Sequence, residues 1–427
     1  MRTFLELLPY RFEQRFVGQA LRAAWVRHRR RLSAAKMVSP GKDPEKPRRI
    51  FVDMTVMSNH DAGTGIQRVV RELALPLLGK IEANREIQFV AATRKRAYRH
   101  IAWPAPDFGE ITVRDRIEMR AEPGDVFLGL DYSLDAIRRH RRQLQQFRQD
   151  GGSLWFLVHD LLPFLRPEWF SRNTVIRYKA WLDILSSIAD GFLCNSPQTE
   201  SELKDVLAGH YGLTQGYRTQ VLPMSPAPMK HAGSSGSVSR NDSSSSRPRL
   251  DSSTPFALMV GTLEPRKGHA DIVAAFDALW RRASPAKLVL IGRLGWHVDT
   301  LRDLILTHPE HGTKLLWFDD VDDEELFQIY EACSGVIVAS HGEGFGLSVI
   351  ESLGHGKPVL ARDLPVFRMH EGKGVHYFPA DASPSVLADA TASWLQAAQL
   401  GAIPVTRPTA DWSDSARIMI TAITSQT

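Results

Sequence analysis

Glu343 and Glu351 stand in the stretch HGEGFGLSVIESLGHGKPV (341–359), with Gly344 and Gly346 between them. Glycine costs backbone entropy and supplies no side chain. Two of them beside a glutamate and an exposed-looking Phe345 suggest a place where bare backbone meets a ligand. GVIVAS (335–340) reads as a strand ending at Ser340, and a helix carrying Leu347 and Glu351 is expected to follow. The amides and dipole of such a helix start favour a negative, oxygen-rich group. Glu343 would lie in the loop and Glu351 about two turns into the helix, so the two carboxylates meet different parts of one extended ligand. An acidic helix start with Glu351 on the surface is the plain alternative.

Three more stretches put polar residues after apolar runs. VGTLEPRKGH (260–269) sets Arg266 and Lys267 just ahead of a helix start, where a diphosphate would gain charge-assisted hydrogen bonds from both. Solvated surface cations are the competing reading. In FVDMTVMSNHDAGTGIQRVVREL (51–73), Gly63 and Gly65 form a loop ahead of the helix that Arg68 begins. That loop either approaches a phosphate or sugar, or is only a tight turn. SLWFLVHDLLPF (153–164) brings His159 and Asp160 to a strand end. A histidine there can bond a sugar hydroxyl or do acid/base work, and can equally be a satisfied structural group. Asp160 is expected to orient nearby amides. FDDVDDEEL (318–326) has the Asp320-Val321-Asp322 spacing of a metal pair, yet it runs into an amphipathic helix that Asp322 or Asp323 would cap. No metal and no cofactor are expected.

The elements that must position these residues follow an alternating pattern. Runs at 51–56, 88–93, 125–130, 153–158, 191–195 and 219–224 read as strands, with helix-length amphipathic stretches at 66–79, 133–149 and 197–208. Residues 231–254 interrupt this. Ten of those 24 are serine, which cannot build a core, so a flexible linker is expected. The alternation then restarts with runs at 256–262, 287–292, 315–318, 335–340, 358–362 and 375–379. Near-continuous apolar strands between helices imply parallel sheets covered on both faces. The predicted fold is α/β with two doubly wound, Rossmann-like domains. The expected boundaries are a basic N-terminal segment (1–48), an N-terminal Rossmann-like domain (49–230), the linker (231–254), a C-terminal Rossmann-like domain (255–408) and a terminal helix (409–427). Ligands of such sheets bind at the carboxyl ends of the strands. The motifs are placed there.

Charge is distributed unevenly. Residues 1–50 hold 13 Lys/Arg against 4 Asp/Glu, an excess of nine, so in a chain of net charge +5 the remainder sums to −4. A basic body for nucleic acid is therefore not expected. Phe12, Phe16, Leu21 and Trp25 fall at helical spacing, with arginines crowding the other side. Residues 1–35 thus fit a basic amphipathic helix on an anionic membrane surface, or equally a helix docked on the protein's own body. No run approaches the roughly 18 apolar residues of a spanning helix, and Arg11, Glu13 and Arg15 interrupt any signal-peptide core. A cytoplasmic protein, with a peripheral attachment to the inner membrane face as one reading of its basic segment, is expected. Cys194 and Cys333 are expected to be buried, reduced thiols.

The 341–359 stretch resembles the signature of the family 4 retaining glycosyltransferases of GT-B fold (glycosyl transferases group 1). The match lies at Glu343, Gly344, Phe345, Gly346, Glu351, Gly356, Pro358 and Val359. The resemblance implies two domains facing across a cleft, the N-terminal one for the acceptor and the C-terminal one for the nucleotide sugar, with Glu351 on the nucleotide ribose. Glu343 and the amides that follow, through Leu347, would hold the donor sugar. It further implies Lys267 on the diphosphate, His159 on the sugar, Gly63 and Gly65 near the donor, and a terminal helix from Trp412 packing back on the first domain. Many members carry arginine where this chain has Thr262, which leaves two readings of Arg266: a replacement, or no ligand at all. The implied reaction transfers a hexose, with mannose or a related sugar favoured, from a nucleotide sugar to a saccharide or lipid-linked saccharide acceptor in bacterial surface polysaccharide synthesis. A sugar-nucleotide epimerase or phosphorylase on the same fold, and a non-catalytic membrane assembly partner, are the alternatives.

Overall fold

The computed structural model describes residues 19–34, 48–59, 63–78, 85–104, 117–226 and 254–425. The chain forms two compact units, Met1–Met224 with Ala410–Thr427 and Ser225–Thr409. The expected linker and residues 1–18 lie almost wholly outside the described residues.

The first unit is built on seven strands, β1 (Arg48–Asp53), β2 (Arg85–Ala91), β3 (Arg99–His100), β4 (Val126–Gly129), β5 (Ser153–Val158), β6 (Gly191–Cys194) and β7 (Arg218–Val221). Their order in the sheet is β3-β2-β1-β4-β5-β6-β7. All neighbours are parallel except β2 with the short β3. Every residue of β4 and β6 is buried, as helices on both faces require. Those helices are α1 (Gln19–Ala34), α2 (Thr55–Asn59), α3 (Gly65–Ala74), α4 (Leu134–Arg139), α5 (Arg141–Gln149), α6 (Leu162–Leu165), α7 (Arg172–Ile188) and α8 (Pro197–Tyr211). The predicted single helix over 133–149 is thus two, divided at His140. Phe51, Phe127, Phe147 and Phe156 interlock edge-to-face or tilted within the core. Arg148, almost fully buried, closes its guanidinium on Asp190, which also accepts from the Leu154 amide at 2.9 Å.

The second unit has six parallel strands, β8 (Phe256–Val260), β9 (Lys287–Ile291), β10 (Leu315–Phe318), β11 (Gly335–Val338), β12 (Val359–Arg362) and β13 (Val375–Phe378), in the order β10-β9-β8-β11-β12-β13. The helices α9 (His269–Arg281), α10 (Asp299–Leu306), α11 (Asp323–Ala332), α12 (Leu347–Gly354) and α13 (Pro384–Gln399) belong to it. The chain then returns to the first unit as α14 (Trp412–Thr424), which packs on α3 and the 3₁₀ turn Leu75–Leu78.

Over its described part the basic helix docks on the protein's own body with one side. α1 lies against α7 and α8, with Val26 fully buried in the core and Trp25 packed beside it. Arg30 donates to the carbonyls of Ser186 (2.9 Å) and Ala189 (2.7 Å) at the open end of α7, and to that of Gly216 (2.9 Å) in the turn before β7. Leu21 points outward. Of the apolar side expected to meet acyl chains, Trp25 turns toward the protein's own core, whereas Leu21 and Ala24 are exposed. Phe12 and Phe16 lie outside the described residues. No helix among the described residues is long and apolar enough to cross a membrane.

Candidate functional site

Both sheets reverse their strand order once, between β1 and β4 in the first unit and between β8 and β11 in the second. Such a switch point opens a crevice at the carboxyl ends of the strands. In the second unit the loop after β8 carries Arg266 and Lys267 in a 3₁₀ turn, Pro265–Lys267, and the loop after β11 carries Glu343. Residues separated by 76 positions in sequence are bonded here. Lys267 Nζ donates to Glu343 Oε1 at 2.5 Å and Arg266 Nη1 to Oε2 at 2.9 Å, while Ser340 Oγ donates to Oε1 at 2.7 Å. Arg266 also bonds the buried Glu264 at 2.7 Å and the Gly342 carbonyl at 3.0 Å. Burial works to raise the Glu343 pKa, but Arg266 and Lys267, with hydrogen bonds from Lys267 and Ser340, overcome it and hold the group at about 2. Glu343 is ionised at every working pH.

Glycine starts both helices that leave these loops. α9 begins at Gly268 (φ 70°) and α12 at Gly346 (φ 87°), each without a side chain over its first amides. A β-carbon on Gly268 would sit 2.2 Å from the Ala339 carbonyl oxygen, and one on Gly346 would sit 2.4 Å from Phe367. Only glycine fits either place. Elsewhere Ser171, Ser196, Asp322, Ser383 and Asp411 cap their helices with side-chain oxygens. The two helices beside the ion-pair cluster, like α4, α5, α6 and α10, have no side-chain cap, and here that leaves first amides beside the cations open to an anion.

The remaining positions are distributed as follows. Glu351 lies half-buried on the second turn of α12, and Leu347 opens that helix. Gly344 is buried, and Phe345 is not exposed as its neighbours in sequence suggested: it is buried, with its ring edge-on to His370. Its contribution to any ligand is therefore through backbone. Between Lys267, His269, Ser340 and Ser348 lies a cavity of about 10 Å³, room for one water and far too small for a nucleotide. Asp322 caps α11 by accepting from the Glu325 amide at 2.8 Å. No group of three or more metal-ligating side chains occurs among the described residues.

In the first unit His159 follows β5, buried, with its ring edge-on to Tyr132 and Nε2 lacking a hydrogen-bond partner. Burial drops its pKa to about 4, so the ring is neutral near pH 7. Asp160 accepts from the Leu162 amide at 3.0 Å. Gly63 adopts a left-handed φ of 67°, and Gly65 opens α3 behind a capping box of Thr64 and Gln67.

Two carboxylates escaped the motif reading. Asp53 ends β1 and accepts from the Thr55 amide (2.9 Å), Thr55 Oγ1 (2.6 Å), Tyr98 (3.0 Å) and Ser133 (2.5 Å). Asp131, just past β4, accepts from the Val56, Met57 and Tyr132 amides. Burial first, and then Asp53's charge, raise Asp131 to about 7, while burial also raises Asp53. Their signal in the sequence is an acid closing an apolar strand, in FVD and in LGLD.

Two open, parallel α/β units, the second with cations and uncapped helix starts at its switch point, define a two-domain Rossmann-like protein of GT-B type. Two solved structures share this fold: a sucrose-phosphate synthase of Thermosynechococcus elongatus (TM-score 0.55, 18% identical, covering 88% of this chain and 94% of that one) and Anabaena HepE in complex with UDP-glucose (TM-score 0.52, 16% identical, 88% and 97%). Residues 241–402, which include both loops of the ion-pair cluster, match the family model described as glycosyl transferases group 1. Serotype-specific mannosyltransferase WbdA of Escherichia coli is 32% identical over 376 residues, which make up 88% of this chain and 44% of that protein. O-antigen chain mannosyltransferase B of Escherichia coli is 35% identical over 115 residues, 26% of this chain and 29% of that one. The chain spans less than half the length of the WbdA relatives it matches.

Proposed function

We propose that this protein is a retaining glycosyltransferase that moves a hexose, mannose favoured, from a nucleotide-diphosphate sugar to a saccharide or lipid-linked saccharide acceptor of a bacterial surface polysaccharide. The observation that carries the reading is the cluster of Lys267, Arg266 and Glu343 at the β8/β11 switch point, beside two glycine-started helices. Cations and helix amides there would stabilise the negative charge that develops on a departing diphosphate. Glu351 would bind the ribose, and the carboxylate of Glu343 with the amides after it the sugar. A neutral, buried His159 would accept from or donate to a sugar hydroxyl without carrying charge. The match of residues 241–402 to the family model and the names of the mannosyltransferase relatives support the sugar and the class of product. Cations do the neutralising, so no divalent metal is required.

The test is transfer of labelled mannose from GDP-mannose to an oligomannosyl acceptor in EDTA, with the new linkage read by NMR. An α-linked product supports the proposal. Release of free sugar nucleotide isomers or sugar phosphate without acceptor extension would replace it with epimerase or phosphorylase chemistry. Activity that appears only when manganese is restored would bring Asp320 and Asp322 back as ligands.

A further inference from the structure

Glu343 is bonded to the two cations that a diphosphate would need. Lys267 and Arg266 each hold one of its oxygens, at 2.5 and 2.9 Å, and Glu264 takes a second arm of Arg266 at 2.7 Å. Two cations face two carboxylates, so an incoming diphosphate must draw the cations away from Glu343 before they can neutralise it. The Glu343 side chain is only 11% exposed. A phosphate that drew Lys267 and Arg266 away would leave a buried carboxylate without its counter-ions, which is strongly unfavourable unless other donors replace them. A free nucleoside diphosphate adds mainly acceptor oxygens at this end. A nucleoside diphosphate hexose has several hydroxyl donors attached to the same phosphate.

The geometry points to Glu343 as a specificity-determining residue that couples diphosphate binding to the presence of the sugar, favouring the nucleotide-sugar donor over the free nucleoside diphosphate left after transfer. The inference rests on the reading of this site as a nucleotide-sugar site. Competition for Lys267 and Arg266 weakens both ligands, and only the sugar-bearing one repays it by supplying donors to the displaced carboxylate. The same competition speeds departure of the spent nucleotide. Ser340, bonded at 2.7 Å to the oxygen that Lys267 holds, keeps the carboxylate in place between the two states.

Isothermal titration of the full chain with GDP and with GDP-mannose tests this, using Glu343→Gln. The amide keeps the shape and removes the charge. GDP should bind the variant about tenfold more tightly than it binds wild type, a gain of about 1.4 kcal/mol, because the cations no longer have a competitor. GDP-mannose should gain less or lose affinity, so the ratio of the two dissociation constants shifts about tenfold or more against the sugar-bearing ligand. Turnover should fall. If circular dichroism shows the variant unfolded, Glu343→Ala carries the same test, since it too removes the charge that competes for the two cations. Unchanged or weaker GDP binding in a folded variant overturns the inference while leaving the nucleotide-sugar reading standing. A wild-type protein that binds neither GDP, UDP nor their sugar conjugates overturns both.

Discussion

Lys267 and Glu351 are assigned to opposite ends of one ligand, and their losses should differ in kind. Lys267→Ala removes a charge-assisted hydrogen bond to phosphate worth about 1.5–3 kcal/mol, and so should weaken nucleoside diphosphate binding by roughly tenfold to a hundredfold. It should spare a nucleoside that has no phosphate. Glu351→Gln should weaken nucleoside and diphosphate alike. Titration with guanosine, GMP and GDP separates the two, and equal behaviour of the variants would remove the assignment. The residue types and their neighbourhood were readable in the sequence: glycines at helix starts, cations ahead of one, a glutamate ahead of the other. Their pairing was not. The bonds from Arg266 and Lys267 to Glu343 join loops 76 or more positions apart, and no local pattern encodes a contact that only the β8–β11 adjacency creates. Phe345 misled for a related reason, since an aromatic between two glycines looks exposed until His370 closes over it from a distant 3₁₀ turn.

Strands were the elements most legible in the sequence, because a strand buried on both faces is an unbroken apolar run such as VFLG or SLWFLV. β3 escaped, being two residues long and dependent on β2 for its existence. α7 escaped as well: its buried residues run from Tyr178 through nearly consecutive positions to Ile188, so it lacks the one-sided stripe that marks a surface helix. The break at His140 has neither proline nor glycine to announce it. For α1 the pattern showed an amphipathic helix but could not say what its apolar side met. The docked α1 makes a clear prediction. Arg30→Ala deletes three hydrogen bonds to carbonyls at and near the end of α7, and burial has already brought this guanidinium down to about 10 without neutralising it at pH 7. A loss of about 2–3 kcal/mol in urea-monitored stability is expected, because a charged donor leaves partly buried acceptors behind. Deleting residues 1–34 should cost more, since Val26 leaves the core. Deleting residues 1–18 should abolish any co-sedimentation with anionic vesicles. Loss of vesicle binding only when 19–34 is also removed would place the membrane contact on α1 instead.

At the scale of the whole molecule, the two units carry buried titratable groups of opposite balance, and this predicts which one acid unfolds first. In the second unit His269 and His370 are buried, each with a ring nitrogen that has no hydrogen-bond partner, and burial lowers them to about 3 and about 4. The unfolded chain therefore takes up protons from about pH 6.5 downward while the folded unit refuses them, so stability falls on acidification by up to about 1.4 kcal/mol per pH unit for each histidine. Glu343, held at about 2, adds a loss of the same sign once the pH drops below its unfolded value and the pairing with Lys267 and Arg266 must be given up. Among the described residues of the first unit the one such histidine is His159, at about 4, set against Asp131 raised to about 7 and Asp53 raised beside it. A carboxyl whose folded pKa is raised binds its proton more readily when folded, so its contribution grows as pH falls through 7 and is complete below the unfolded value. The carboxylates and His159 oppose one another over the same window. Hydrogen exchange between pH 7 and 4.5, corrected for intrinsic rates, should show protection lost in β8 and β11 before β1 and β4. Asp131→Asn should remove the compensation and make β1 and β4 acid-sensitive in turn. First-unit strands that open earlier in the wild type, or an Asp131→Asn variant with unchanged acid sensitivity, would show that these buried groups do not set the order.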